Sequence, residues 1–478
     1  MSIRRKSLVA IIWNSFGGMT NLVLGFVVSI VLSRILGPPE YGLLALAMSF
    51  IAFSEGMVVM GFHTSIIRHK HMEEIDLSSI FVLNLVLGLF FSLLFFFLAP
   101  FIESWYEMAG LGRVLQALSL VFVINGSTLV HRAYMERNLA YKWLNIARLV
   151  ALVISSVLAI WMALSGYGVW SLVAFNLSIA SITAMVLFSK SGWSPSLHFS
   201  RKAIRTHWKF SSQVFGANLI TTVAQKMDVL LLGKYVGVAQ LGLFNRGKSL
   251  NDLATRIPTQ FVLKPLFSSL SKIQDDTSNV RQKISEIIRM LSFIFVPAFV
   301  FGIFYTRDII FLLYGEKWIG VVPYLRIFLL IGILHIWRIP YNYLLLARGK
   351  SESVLQLELM LNIARVLLVV VLVPLNIMYL LYGLMGLKMV EYLSYSRVAN
   401  REIQEQWFYH FILGLSYAIL SSIIAIGVWW TMKDMEYLPV RLSLAFVLFS
   451  GVYLAFLVVI KSPAWRLTRT YYEEIVNK

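Results

Sequence analysis

The sequence predicts an all-α integral membrane protein of about 14 transmembrane helices, arranged as two six-helix lobes from an internal repeat plus two C-terminal helices. Three observations predict it. Of 478 residues, 58% are hydrophobic and only 14% charged, against about 25% charged in a soluble domain. The apolar residues come in runs of roughly 20, the length with which a helix crosses a bilayer. Short motifs also recur at fixed offsets, the mark of a duplication.

Taken in order, the spans fall at 8–32, 41–62, 77–101, 114–130, 144–164, 168–189, 208–232, 241–267, 288–305, 321–346, 354–374, 376–396, 408–431 and 438–460. The first follows Arg4, Arg5 and Lys6 as a signal peptide would. It is longer than a signal core of roughly 7–15 residues, and no small-residue cleavage pattern closes it, so it is expected to stay in the mature protein. The span count is even, which puts both termini on one side. Loops on that side carry most of the Lys and Arg, while the other side has only Arg34, Arg113, Lys234, Arg307, Lys317, Lys433 and Arg441. Short basic loops stay cytoplasmic, so both termini are expected inside. The segment SLHFSRKAIRTHWKF interleaves Leu197, Phe199, Ile204 and Trp208 with Arg201, Lys202 and Arg205. Such an amphipathic stretch suits the headgroup layer.

The repeat is visible twice. Gly37, Gly42 and Leu43 of the turn SRILGPPEYGLLALAMSF fall 200 positions before Gly237, Gly242 and Leu243 of GKYVGVAQLGLFNRGKSL. Independently, Asn145-Ile146-Ala147-Arg148 recurs 217 positions later as Asn362-Ile363-Ala364-Arg365. A repeat of six helices leaves both halves pointing the same way, as in transporters with parallel repeats. The expected domains are 1–195 (spans one to six), 196–400 (spans seven to twelve) and 401–478 (the last two spans and a tail).

The net charge of +18 would suggest nucleic acid in a soluble protein. Here the basic residues flank apolar spans and set topology, so no nucleic-acid partner is expected. The chain has no cysteine, which removes disulfides, thiolate chemistry and Cys-ligated metals. No P-loop or HExxH pattern occurs. His63, His69 and His71 read as part of a solvated cytoplasmic loop. No catalytic residue, metal or bound cofactor is therefore expected, and the chain is not read as an enzyme.

Charge within a spanning helix costs several kcal/mol unless it meets protein or water. Such residues are the candidates. In the first lobe they are Arg34, Glu55 and Arg148; in the second, Lys226, Asp228, Arg246, Lys248, Asp252, Arg256 and Lys264. Lys248, Asp252 and Arg256 follow i, i+4, i+8 and share a helix face. Glu55 matches Thr255 in the repeat, so the second helix of each half is expected to present polar groups to one cavity. Converging cations imply an anionic ligand, with phosphate the group that rewards them most. Lys226, Arg246, Lys248, Arg256 and Arg34 are the predicted substrate-binding residues. Glu55, Asp228 and Asp252 are candidates for coupling to a proton or sodium gradient. Arg148 and Arg365 read as interfacial anchors near the cytoplasm, Arg326 and Arg338 have no evident partner, and Asn14, Asn21, Asn84, Asn125 and Asn218 read as interhelical hydrogen bonders.

RILGPPEYGLLALAMSFIAF resembles the first outer turn of the polysaccharide transporter family, the Wzx-type flippases of the multidrug/oligosaccharidyl-lipid/polysaccharide superfamily. LGLFNRGKSLNDLATRIPTQFVLKPLFSSLSKIQDD is similar to that family's eighth-helix segment, with Asn245, Arg246, Pro265, Ser269 and Asp275 at comparable positions. The resemblance implies two lobes around a central cationic cavity, alternating access, and an undecaprenyl-diphosphate-linked oligosaccharide as substrate. It implies a flippase that moves this lipid from the cytoplasmic to the outer leaflet of a bacterial inner membrane, for surface polysaccharide synthesis. Membrane lipids and the pathway's polymerase and chain-length proteins are the implied partners. A multidrug or cation antiporter and a lipid II flippase are the alternatives within the superfamily; a membrane polysaccharide polymerase is the alternative outside it. The antiporter fits less well because span one carries no acidic group, and the polymerase because no outer loop is long.

Overall fold

Each of the 14 predicted spans overlaps a helix in the computed structural model, which describes residues 3–69, 71–259, 276–406 and 408–459, with backbone alone for 3–12 and 14–16. Lys264, the motif positions Pro265, Ser269 and Asp275, and the tail from 460 onward lie outside the described residues. No strand occurs among those described. In order the helices are α1 (Ile3–Ile35), α2 (Pro38–Val59), α3 (Phe62–Arg68), α4 (Glu74–Tyr106), α5 (Leu111–Leu118), α6 (Leu120–Arg137), α7 (Tyr141–Leu164), α8 (Val169–Lys190) and α9 (Arg201–Tyr235). There follow α10 (Val238–Ile257), α11 (Thr277–Phe304), α12 (Thr306–Tyr314), a 3-10 turn (Glu316–Val321), α13 (Val322–Ala347), α14 (Ser351–Leu372), α15 (Ile377–Ile403), α16 (Tyr409–Met432) and α17 (Leu438–Val459).

Among the described residues, eleven helical spans are long and apolar enough to cross a membrane by length and composition. The predicted spans on α9, α10 and α15 are not among them. Those three helices carry Lys226 and Asp228, then Arg246, Lys248, Asp252 and Arg256, then Lys388 and Glu391. Charge concentrated in helices with spanning length requires partners or water along them, since lipid tails offer neither.

The chain divides into two compact units, 1–242 and 243–478. In the first, α7 packs on α8 and α1, α4 on α6, and α9 on α2 and α4. In the second, α13 packs on α15 and α11, and α11 on α16. The unit boundary falls inside α10, whereas the repeat divides the sequence near 195. The α9 helix joins the first unit because it buries Asp228, Val229 and Leu232 on a face covered by α2 and α4.

Small residues set the closest crossings. A Cβ on Gly88 of α4 would lie 2.6 Å from the Phe122 carbonyl oxygen of α6, and one on Gly126 of α6 would lie 2.6 Å from that of Asn84 of α4. Backbone cannot yield as a side-chain tip can, so Gly88→Leu should lower the detergent melting temperature sharply, by an overpacking penalty of about 3 kcal/mol. An unchanged melting curve would refute this.

The Gly-Pro-Pro turn is explained locally. Pro38 occupies the first turn of α2, where a missing N–H costs nothing. The freed Gly37 N–H donates to Glu40 Oε2 at 3.0 Å. The backbones of α2 and α10 also meet within the first unit: a Cβ on Gly42 would overlap the Val238 carbonyl oxygen, and a Cβ on Gly242 that of Pro38.

Two expectations change. The span predicted at 41–62 stops at Val59, because Met60 and Gly61 adopt positive φ of 43° and 72° and redirect the chain into α3. His63 is therefore helical and not in a loop, and its Nε2 lies 3.5 Å from Glu136 Oε2. The amphipathic segment, expected as part of a loop, enters α9 directly: the Ser200 side chain accepts from the Ala203 N–H at 3.3 Å, and no proline interrupts the helix to Tyr235. Leu197, Phe199 and Trp208 stand in the open, with Leu197 81% exposed, while Ile204 packs against the buried cluster of Phe62, Ile66 and Trp193.

Candidate functional site

The predicted site residues lie on four helices and in both units. Arg34 ends α1 and is exposed. Glu55 of α2 is half-buried, and Asn125 of α6 donates to its Oε1 at 2.7 Å. Asn125 is thus the interhelical bonder the sequence suggested. Asn21 and Asn84 are not: their amides donate along their own helices, to Gly17 O and Ile80 O. On α9, Asp228 is fully buried and its Oδ1 accepts from the Val229 N–H at 2.8 Å. Lys226 is half-buried. Two residues apart on a helix is about 200° of rotation, so these two side chains leave α9 on different faces.

On α10 the same geometry sorts the cations. Arg246 is 7% exposed, with its guanidinium 4.4 Å from the Tyr314 ring centroid and 5.6 Å from that of Trp318. Aromatic rings stabilise a desolvated guanidinium by their negative faces. Lys248, Asp252 and Arg256 point the other way. Lys248 is half-buried and Asp252 and Arg256 are exposed, one per turn. Behind them Thr255 is buried and its hydroxyl donates to the Asn251 carbonyl at 3.0 Å. The structure therefore unites Lys248, Asp252 and Arg256 as one polar stripe and places Arg246 apart from it, inside an aromatic pocket.

A second set of membrane-depth charges went unnoticed in the sequence. Arg338 of α13 was expected to have no evident partner; it has two. Its Nε lies 2.8 Å from Glu391 Oε1 of α15, and its Nη1 3.3 Å from Glu358 Oε1 of α14. Lys388 Nζ reaches Glu391 Oε2 at 2.7 Å, and the Tyr395 hydroxyl donates to Glu358 Oε1 at 3.0 Å. The signal available was Lys388 and Glu391 at i, i+3 in an otherwise apolar run. Arg365 lies 14 residues into α14, which starts at Ser351, about 21 Å along the axis at 1.5 Å per residue.

This network ties α13, α14 and α15 together. Glu391→Gln would leave two buried cations short of a counter-charge. Breaking such a pair costs about 3–5 kcal/mol, so the variant should melt far below wild type in detergent. Equal melting would show the network to be solvated.

A matching family model, described as "Polysaccharide biosynthesis protein", covers residues 31–323. The chain is 25% identical over 361 residues to "Uncharacterized membrane protein in cps region" of Klebsiella pneumoniae, spanning 74% of this chain and 73% of that one. It is 24% identical over 358 residues to "Lipopolysaccharide biosynthesis protein WzxC" of Escherichia coli (strain K12), spanning 74% and 72%. Its fold is that of the lipid II flippase MurJ in an inward closed conformation, with a TM-score of 0.74 at 14% identity over 94% of this chain and 99% of that one. The family model covers more than half of the residues: this multi-pass membrane protein belongs to the polysaccharide biosynthesis protein family.

Proposed function

We propose that the chain is a flippase carrying an undecaprenyl-diphosphate-linked oligosaccharide from the cytoplasmic to the outer leaflet of a bacterial inner membrane, by alternating access, with both termini in the cytoplasm. The observation that carries this reading is the α10 stripe. Arg256 is exposed and Lys248 half-buried on one face of a helix of spanning length, and cations at that depth are sustained by water or anions, not by lipid tails. A diphosphate meets two such cations with charge-assisted hydrogen bonds. Lys226 and Arg34 are the proposed substrate cations of the first unit, and Arg246, held by its rings, adds a permanent positive potential to α10. Membership of the family and the name of the relative WzxC support a polysaccharide precursor as cargo.

Glu55, Asp228 and Asp252 are the proposed coupling groups for a proton or sodium gradient. Glu55 is the strongest of them: it is half-buried, and its one described polar contact is a neutral amide. The pathway's polymerase and chain-length proteins would act on the delivered lipid.

The test is reconstitution. Proteoliposomes holding the purified chain and a fluorescent lipid-diphosphate oligosaccharide should expose inner-leaflet probe to an impermeant quencher much faster than empty liposomes. Equal rates with and without protein, under imposed proton and sodium gradients, would overturn the proposal.

A further inference from the structure

The second unit contains a cavity of about 840 Å³ at the ends of α11, α13, α16 and α17, within the 300–1,000 Å³ of small-ligand sites. One wall comes from the end of α11 and the start of α12. The other comes from α16 and α17, the helix pair that has no counterpart in the repeat. The cavity therefore exists only because those two helices were added.

Its charge is lopsided. Arg307, Arg326, Lys433 and Arg441 line it against Asp308 and Glu316. Arg441 Nη2 and Asp308 Oδ1 satisfy each other at 2.6 Å. Among the described residues no carboxylate lies within ion-pair distance of Arg307, Arg326 or Lys433, so three cations face one unpaired acid. Lys433 Nζ lies 5.3 Å from the Trp430 ring centroid and keeps its donors for a further partner. An independent sign comes from Tyr305. It lines the cavity, is 1% exposed, and its hydroxyl has no hydrogen-bond partner. A buried donor left unmade costs about 1–3 kcal/mol, which an acceptor in the cavity would recover. The remaining lining is apolar, including Phe311, Trp429 and Leu438. Exposed Trp429, Trp430 and Tyr437 mark this level as the membrane interface.

We infer that this cavity binds the phosphate of an anionic membrane lipid, with Arg307, Arg326 and Lys433 on the oxyanion and the apolar wall against the glycerol and upper acyl chains. Under the proposed orientation the lipid belongs to the outer leaflet. Such a site does not require the chain to transport anything, and it lies on residues separate from the α10 stripe.

Native mass spectrometry of the purified full-length protein tests it, with dioleoyl phosphatidylglycerol, dioleoyl phosphatidylcholine and inorganic phosphate as probes. Wild type should retain phosphatidylglycerol at least tenfold better than phosphatidylcholine. R307Q/R326Q/K433Q should lose that preference, and Y305F should reduce it a few-fold, both eluting as wild type in size exclusion. Equal retention of the two lipids by wild type, or an undiminished preference in the triple variant, would overturn the site. Displacement of phosphatidylglycerol by an equal concentration of inorganic phosphate would show a free-anion site and overturn the lipid assignment.

Discussion

Neutralising Lys248 and Arg256 together, as K248Q/R256Q, should abolish surface-polymer export while leaving the protein at its normal level in the membrane. Arg256 is exposed and Lys248 half-buried on the polar face of α10, away from the helix face that packs, so their removal should disturb the fold little. The loss falls on the ligand. A hydrogen bond to a charged group contributes about 1.5–3 kcal/mol. Two of them amount to about 3–6 kcal/mol, or roughly 10²–10⁴ in affinity at 1.4 kcal/mol per tenfold. K248R/R256K keeps both charges and should recover much of the activity, short of what a bidentate guanidinium provides at position 256. Asp252 separates two roles. If it only offsets its neighbours' charge, D252N should bind the diphosphate lipid more tightly; if it couples transport to an ion gradient, D252N should bind normally and turn over slowly. Export at wild-type rates in K248Q/R256Q, with complementation of a strain lacking the gene as readout, would remove the stripe from the mechanism.

How far the sequence carries the reader depends on whether the signal is local. The 14 spans are local signals, apolar runs between breakers, and each falls on a helix. The α10 stripe is local too, since helix periodicity alone places residues 248, 252 and 256 on one face. The same rule, applied at i+2, would have separated Arg246 from the stripe. Its aromatic pocket was not legible, because Tyr314 and Trp318 lie about 70 positions away and reach it through tertiary packing. The Arg338 network failed for the same reason. Its members at 338, 358, 388 and 391 sit on three helices, and only the Lys388–Glu391 pair is a local signal; Arg338 and Glu358 each read as a stray charge. The break at Met60 was hidden by chemistry: methionine is an ordinary helix former, and only its left-handed φ, shared with Gly61, reveals the turn.

The repeated turn yields the sharpest structural prediction, because its four glycines divide into two kinds. Gly37 is the N-cap of α2 and Gly237 directly precedes α10, positions where alanine caps less well than glycine, by about 1 kcal/mol. At Gly37 the nearest atoms to an added Cβ are the flexible Glu40 carboxylate at 3.2 Å and Pro39 Cδ at 3.4 Å, and at Gly237 nothing lies within 4 Å. G37A and G237A should therefore cost no more than about 1 kcal/mol. At Gly42 and Gly242 the penalty is far larger. Each added Cβ would overlap the backbone carbonyl four residues before the other glycine, and would also stand 3.0 Å from that glycine's nitrogen. The contact is reciprocal because the sequence is duplicated: residue 42 meets 238 as residue 242 meets 38. Backbone carbonyls of helix ends cannot rotate away, so relief requires the α2 and α10 termini to part. G42V and G242V should each cost more than 3 kcal/mol, beyond the usual overpacking range, and should fail to support polymer export. Combining them should cost less than the sum, since one separation relieves both clashes. Detergent melting curves and export assays on the five variants read this directly. Wild-type melting and export in G42V and G242V would mean that the two helix ends do not touch as described.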